Sequence, residues 1–228
     1  MTKSILKKIN NYFKKRANEN SFSKSQKIFC IGANKTGTTS VSLLFNKLGL
    51  AVGLQRDAEL LLKECESKNY ENLFQYIKFK GIAFQDIPIN LPNIFSVLDK
   101  EFTDSKFILT IRDSPEEWYK SITTFHSKVF GNGLIPTKTD LQNAEYVYKG
   151  WIWQWHKLVF NTPEDDIYNE TALKNFYINY NASVIEYFKD KPGKLLVINI
   201  KQPNASIKIS EFLNTGTIVG QMPWENKT

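Results

Sequence analysis

The sequence predicts an α/β fold in which a parallel sheet is flanked by helices. Three short apolar runs rich in β-forming residues lie at 26–33, 106–111 and 194–200, and each is followed by apolar side chains at helical spacing. Strands that alternate with helices pair in parallel and are joined by right-handed crossovers. A chain of 228 residues suits one such domain of ordinary size, at most with an appendage.

The first half of the predicted sheet lies between residues 26 and 111. The strand at 26–33 is followed by a helix with an apolar face made of Val41, Leu44, Phe45 and Leu48. A helical pattern over 57–78 precedes a second strand at 81–88, which Pro88 breaks. A helix over 91–102 then precedes KFILTI at 106–111, which has the apolar character of a buried strand.

The second half is mainly helical. Pro115 suits the first turn of the helix that follows 106–111, and the acidic residues after it suit the positive end of the helix dipole. The polar stretch 126–143 predicts a long surface loop. A helix over 171–188, a strand over 194–200 and a short helix near 204–213 complete the pattern.

The composition excludes several classes of protein. Hydrophobic residues make up 42% and charged residues 23%, which excludes wholesale disorder. No run of 18 apolar residues is present, so no membrane-spanning helix is predicted. Cys30 and Cys65 are too few for a disulfide framework, and neither belongs to a C-x-x-C motif. We therefore predict no metal site.

The net charge of +7 is concentrated at the N-terminus. Residues 1–27 hold eight basic side chains and one acidic one, so the remainder is neutral and a nucleic-acid partner is not expected. We predict a basic amphipathic helix over 1–22 followed by an α/β domain over 23–228, joined by a linker at 21–26. Three interpretations of this segment stay open. It is a helix packed on its own domain, a helix that contacts an anionic membrane through residues 1–17, or a disordered basic arm. It lacks the apolar core of a secretory signal, which predicts a cytoplasmic protein.

The loop GANKTGTTS, between the first strand and its helix, has the features of an anion site. Main-chain amides and the helix dipole favour an anion there, and Thr38, Thr39 and Ser40 add hydroxyl donors. The loop departs from G-x-x-x-x-G-K-[ST], because Thr38 stands where that motif has lysine, and the lysine is instead Lys35. An anion cradle is therefore predicted without the usual ATP–magnesium arrangement.

IGANKTGTTS resembles the 5′-phosphosulfate loop of the sulfotransferases, a family that uses 3′-phosphoadenosine-5′-phosphosulfate (PAPS). The matching residues are Lys35, Thr36, Gly37, Thr38 and Thr39. The resemblance implies a three-layer architecture similar to that of the P-loop proteins, and a loop that holds the 5′ end of PAPS.

A second motif of that family, an arginine after a buried strand and a serine in the next helix, grips the 3′-phosphate. RDSPEEWYKS supplies Arg112 and Ser121, and resembles R-D-x-x-x-x-W-Y-x-S of the bacterial-type branch. Arginine suits this role because its guanidinium binds phosphate through two donors. The competing interpretation is a structural Arg112, paired with Asp113 or Glu116.

Three further matches are less specific. One is YINYNASVIEYFKDKPGKLLVINI at 177–200, which resembles the late helix and strand of the bacterial-type branch. FQDIP resembles the end of the family's second strand, where many members have a catalytic histidine, and this position makes Asp86 the candidate base. His126 is the reserve candidate. The tail MPWENKT resembles an element near the 3′-phosphate, which would make Asn226 and Lys227 ligands. A frayed C-terminus is the alternative interpretation of this tail.

The resemblance implies metal-independent transfer of a sulfuryl group from PAPS to a hydroxyl or amine of an acceptor. Lys35 would stabilise the leaving phosphate and Asp86 would accept the proton. A glycan, a lipid-linked sugar and a small alcohol remain open as acceptors. Two other functions stay open: a small nucleotide or sugar kinase with a degenerate loop, and an inactive module that binds the desulfated donor.

Overall fold

The computed structural model describes residues 18–223. Of the N-terminal helix predicted over 1–22, only the end falls within this range, and residues 18–24 are helical (α1). The segment 1–17 proposed as a membrane contact lies outside the described residues. So do Asn226 and Lys227, the two predicted phosphate ligands of the C-terminal tail.

Strands and helices follow one another along the chain. After α1 the elements are β1 (Ile28–Cys30), α2 (Thr38–Lys47), α3 (Gln55–Glu59), α4 (Leu62–Glu66), α5 (Glu71–Lys80), β2 (Ala83–Gln85), α6 (Ile94–Glu101), β3 (Lys106–Ile111), α7 (Pro115–Phe130), α8 (Lys138–Asn143), α9 (Trp151–Phe160), α10 (Glu170–Phe188), β4 (Leu195–Asn199) and α11 (Ala205–Leu213). No helix among residues 18–223 has the length and apolar character needed to cross a bilayer.

The four strands form one parallel sheet in the order β2-β1-β3-β4. The longest pairing joins β3 to β4, from Phe107 opposite Leu195 to Ile111 opposite Asn199. The predicted α/β fold with a parallel sheet is therefore confirmed. KFILTI forms a strand at the predicted residues because its central side chains are buried, as in strands covered on both faces.

The sheet separates two apolar cores, which makes the domain a three-layer structure. Along β1, Ile28 and Cys30 belong to the smaller core with α2 and α11, whereas Phe29 belongs to the larger core. That core also contains side chains of α4 to α10. The alternation follows from the two-residue repeat of a strand, whose successive side chains point to opposite faces.

Three sequence-based boundaries differ from the structure. The pattern over 57–78 is divided among α3, α4 and α5, and the left-handed backbone of Lys68 (φ 58°) lies between the last two. The predicted loop 126–143 is shorter, because α7 continues to Phe130 and α8 begins at Lys138. The predicted linker is helical to residue 24.

The connections place polar residues at the carboxyl edge of the sheet. The chain leaves β1 for β2 on one side and later crosses to β3 on the other side. The connection that follows β1 and the connection that follows β3 therefore run in opposite directions, which makes the space between these two neighbouring strands a topological switch point. In open α/β sheets this point forms the crevice where ligands bind.

Candidate active site

A cavity of about 200 Å³ opens at this edge of the sheet. Seven predicted site residues line it: Lys35, Gly37, Thr38, Thr39, Ser40, Asp86 and Arg112. They come from the segments that follow β1, β2 and β3, so the sheet brings together residues that are far apart in sequence. Asn34, Phe125, His126 and Tyr146 complete the described lining.

The loop after β1 presents the N-terminus of α2 to this cavity. Two of its residues have left-handed backbones, Lys35 with φ 71° and Gly37 with φ 101°. Gly37 is the N-cap of α2 and no side chain caps the helix there, while Thr38, Thr39 and Ser40 line the cavity. Uncapped first-turn amides at the positive end of a helix dipole favour an anion.

Lys35 supplies one of the cationic side chains that line the cavity. Its Nζ lies 3.9 Å from the centroid of the Phe125 ring, a cation–π contact. Burial is the main cause that lowers the pKa of Lys35 to about 8; the charge of Arg112 acts in the same direction and that of Asp86 opposes the shift. Lys35 is therefore largely charged at neutral pH, and it titrates within a range that experiments can reach.

Arg112 is fixed by the loop and by α7. Its Nε donates to the main-chain oxygen of Lys35 at 2.8 Å, and its Nη1 pairs with Oε1 of Glu117 at 3.1 Å. Glu117 also pairs with Lys201, which follows β4. The anticipated ion pair of Arg112 thus exists, but with Glu117 instead of Asp113 or Glu116. Arg112 nevertheless lines the cavity and remains available to an anion.

Asp86 follows β2 in a left-handed conformation, with φ 62°. Its Oδ1 accepts hydrogen bonds from the amide of Ile87 at 3.0 Å and from Nδ2 of Asn34 at 2.5 Å. Asn90 donates in turn to Oδ1 of Asn34 at 3.0 Å. Burial raises the pKa of Asp86, while Ile87 and Asn34 oppose the rise. Such a carboxylate has the character of a general base.

Two predicted donor-binding residues, Thr36 and Ser121, are not among the described residues that line the cavity. The hydroxyl of Thr36 donates to the main-chain oxygen of Ala33 at 2.6 Å and lies 2.6 Å from that of Thr110. Thr36 is fully buried and supports the loop from inside. Ser121 is buried in α7 and is not among the described residues that line the cavity. Its predicted contact with a phosphate stays a prediction.

His126, the reserve candidate for the base, lines the cavity but is buried in α7. Its Nδ1 lies 2.6 Å from the hydroxyl of Tyr168. Burial lowers its pKa to about 3, helped by His156 and Lys35. His126 is therefore neutral near pH 7, and the low pKa makes it a poor proton acceptor.

Asn34, Phe125 and Tyr146 are site residues that the sequence analysis did not single out. The Tyr146 hydroxyl donates to Oε1 of buried Glu59 at 3.2 Å, which places a second carboxylate behind the cavity wall. Asn34 immediately precedes Lys35 in the predicted loop, and this position was the available signal. No signal in the sequence pointed to Phe125 or Tyr146, because single aromatic residues are usually core residues.

The described residues contain no cluster of three or more His, Cys, Asp or Glu side chains that could hold a metal ion.

A search of curated proteins finds no match to this chain. A family model described as a sulfotransferase domain matches residues 27–228. Because this match covers nearly the whole chain, including both motifs at the cavity, the protein belongs to the sulfotransferase family.

Proposed function

We propose that the protein transfers a sulfuryl group from PAPS to a hydroxyl or amine of an acceptor. One observation carries the proposal: a single cavity holds the loop after β1, the cations Lys35 and Arg112, and the carboxylate of Asp86. Cations and amides suit the phosphates of a donor. The carboxylate suits an acceptor that must lose a proton.

The residues of the cavity fit the donor. Uncapped amides at the start of α2 and the hydroxyls of Thr38 and Thr39 would hold its 5′ end, and Arg112 would bind its 3′-phosphate. Ser121, Asn226 and Lys227 stay predictions as further ligands of that phosphate. When bound, PAPS supplies the sulfuryl group and a phosphate as the leaving group.

Lys35 and Asp86 would have opposite tasks. The ammonium of Lys35 would stabilise the negative charge that develops on the leaving phosphate, as in other transfers that depend on positioning and electrostatics. Asp86 would accept the proton of the acceptor. We assign this step to Oδ2, because Oδ1 already accepts hydrogen bonds from Ile87 and Asn34.

Calorimetric titration with 3′-phosphoadenosine-5′-phosphate (PAP), the desulfated donor, tests the donor site. We expect a Kd near 1 μM, about −8 kcal/mol, and much weaker binding of ATP with magnesium. Lys35→Ala and Arg112→Ala should weaken PAP binding, whereas Lys208→Ala, at an exposed lysine of α11, should not. Tight ATP binding without PAP binding would favour the kinase instead.

Transfer is tested with PAPS labelled with radioactive sulfur and a panel of hydroxyl and amine compounds. Asp86→Asn should abolish labelling of the acceptor while PAP binding persists, because the amide cannot take the proton. Unchanged turnover in Asp86→Asn would place the base elsewhere. PAP binding without transfer to any acceptor would favour the inactive binding module.

A further inference from the structure

Exposed apolar side chains are concentrated in three segments of the described chain. Among residues 18–223, seven of the eleven exposed large hydrophobic side chains lie in three short segments, 54–60, 129–135 and 146–148. We call these three segments the apolar rim. Single exposed apolar residues are ordinary, but a contiguous group marks a surface that contacts something other than water.

Contacts join the three segments into one surface. Nη1 of Arg56 donates to the main-chain oxygen of Tyr146 at 3.2 Å, and its guanidinium carbon lies 4.7 Å from the centre of the Tyr146 ring. Val129 and Tyr146 line a common cavity of about 310 Å³. Since Tyr146 also lines the candidate active site, the rim borders that site.

The most prominent part of the rim is the connection between α7 and α8. Leu134 is 76% exposed and Ile135 is 52% exposed, in a turn where the amide of Gly133 donates to the main-chain oxygen of Ser127 at 2.8 Å. The turn therefore presents two aliphatic side chains to solvent from a defined backbone. Such a tip can be buried by an apolar phase that needs no complementary shape.

The charges indicate what the rim contacts. Within and beside the rim, basic and acidic exposed side chains are balanced: Arg56, Lys128 and Lys149 against Asp57, Asp140 and Glu145. This balance gives no complementarity to a strongly charged protein or nucleic acid. The sequence of residues 1–17 contains six basic residues and no acidic one, a charge that attracts anionic lipid. The described chain begins beside the rim, because Glu19 of α1 lines a common cavity with Asp57.

We propose that the apolar rim seats on an anionic lipid bilayer, with Leu134 and Ile135 inserted among the lipids. The acceptor is then a hydroxyl or amine on a lipid headgroup, which reaches Asp86 past Tyr146. The part that concerns the acceptor rests on the proposed function. The docking itself does not, because it can be measured without any transfer of sulfuryl groups.

The test is co-sedimentation of the full chain with vesicles made of equal parts of phosphatidylcholine and phosphatidylglycerol. We expect the wild type to bind, and Leu134→Asp/Ile135→Asp to bind about tenfold more weakly, because charged side chains oppose insertion. The matched control is Ile178→Asp/Ile185→Asp, which changes two apolar side chains of α10 that are exposed to 48% and 46%. This control should bind like the wild type.

Three results would overturn the docking proposal: no vesicle binding by the wild type, unchanged binding by the rim variant, or equal losses in both variants. Titration of each variant with PAP shows whether the donor site is intact. A failure of the docking proposal can therefore be distinguished from a failure of the proposed function. A folded rim variant keeps its PAP affinity whether or not it binds vesicles. If PAP fails to bind even the wild type, the donor assignment fails while the vesicle result stands.

Discussion

Asn34 and Asp86 are joined by a hydrogen bond of 2.5 Å from Nδ2 to Oδ1, across the carboxyl ends of β1 and β2. Asn34 is itself held by Asn90, and its main-chain oxygen accepts a hydrogen bond from Nε1 of Trp118 at 2.8 Å. The candidate base is thus positioned by an amide that is fixed from two sides. Asn34 acts through Asp86, and we describe it as a positioning residue.

Replacing Asn34 should change the titration of Asp86. The amide donates to the ionised carboxylate and so lowers its pKa, in opposition to burial. In Asn34→Ala we expect the pKa of Asp86 to rise, because burial is then opposed by one hydrogen bond fewer. Carbon-13 NMR of the labelled carboxyl group, followed over a pH titration, measures this value directly.

The control for this titration is Asn179→Ala, at an exposed asparagine of α10. It should leave the pKa of Asp86 unchanged. A pKa of Asp86 that is the same in wild type and Asn34→Ala would show that the hydrogen bond does not act on the carboxylate. Asn34 would then lose its assigned role, while the role of Asp86 would be unaffected.

The sequence predicted best those features that depend on local pattern. The strand at 106–111 was predicted to the residue, because a continuous apolar run of that length suits a strand buried on both faces. The helical pattern over 57–78 was misleading, because Lys68 takes a left-handed backbone that its residue type does not signal. The loop predicted from 126 was wrong at its start, since buried His126 extends α7 by packing against Tyr168.

Within the site, the motifs led to Lys35 and Arg112, which line the cavity as expected. The sequence did not identify Glu117 as the partner of Arg112, because this ion pair depends on the residue at which α7 begins. Ser114 caps that helix by accepting a hydrogen bond from the amide of Glu117, so Glu117 returns toward Arg112. Likewise, Asn34 reaches Asp86 only because β1 and β2 pair in the sheet, and no spacing along the chain shows this.

Lys35 should make donor binding depend on pH. Its pKa is lowered to about 8, so its charge is largely present at neutral pH and is lost as the pH rises through that value. We expect the affinity for PAP to fall several-fold between about pH 7 and about pH 9, because a neutral amine attracts the phosphate less. Calorimetric titration across this range measures the change.

The Lys35→Arg variant tests whether the loss of the proton from Lys35, and not from another group, causes the decline in PAP affinity. Arginine stays protonated throughout the range, so the variant should lose the decline in affinity, whatever its absolute Kd. An equally steep decline in Lys35→Arg would mean that a different group, or PAP itself, causes it. Lys35 would then keep its charge throughout this pH range, contrary to its assigned pKa.

Gly37 should be needed for the anion site for steric reasons. Its φ of 101° is rarely adopted by other residues, and an added Cβ would lie 2.2 Å from Cδ1 of Ile200. In Gly37→Ala the loop or the side chain of Ile200 must shift and the left-handed backbone is strained, so we expect PAP affinity to fall about tenfold or more. Calorimetric titration measures the affinity, and circular dichroism checks that the helices remain.

Gly133→Ala is a matched control for this substitution. Gly133 also has a left-handed backbone, with φ 92°, but an added Cβ would meet nothing within 4 Å. Both variants carry the same kind of backbone strain, and only Gly37→Ala carries the collision beside the cavity. Similar PAP affinities in the two variants would contradict the role assigned to the backbone of this loop.

Lys27 should stabilise the fold through the hydrogen bonds of its ammonium group to main-chain oxygens. It is 2% exposed, and its Nζ donates to the main-chain oxygens of Phe22, Lys78 and Gly81 at 2.7, 3.3 and 2.8 Å. These bonds tie α1 and the end of α5 to the start of β1. Lys27→Met keeps much of the apolar stem but leaves three carbonyl groups without this donor. We expect it to lower the free energy of unfolding by about 2 to 4 kcal/mol.

Urea unfolding followed by tryptophan fluorescence measures this loss, since Trp118, Trp151 and Trp155 are buried in the larger core. Lys24→Met is the control, because Lys24 is exposed near the end of α1 and should change stability by less than about 0.5 kcal/mol. Equal stability of Lys27→Met and Lys24→Met would mean that water replaces the ammonium at these carbonyls. In that case Lys27 would be dispensable, and the ion pair between Glu19 and Lys80 would remain as a link between α1 and α5.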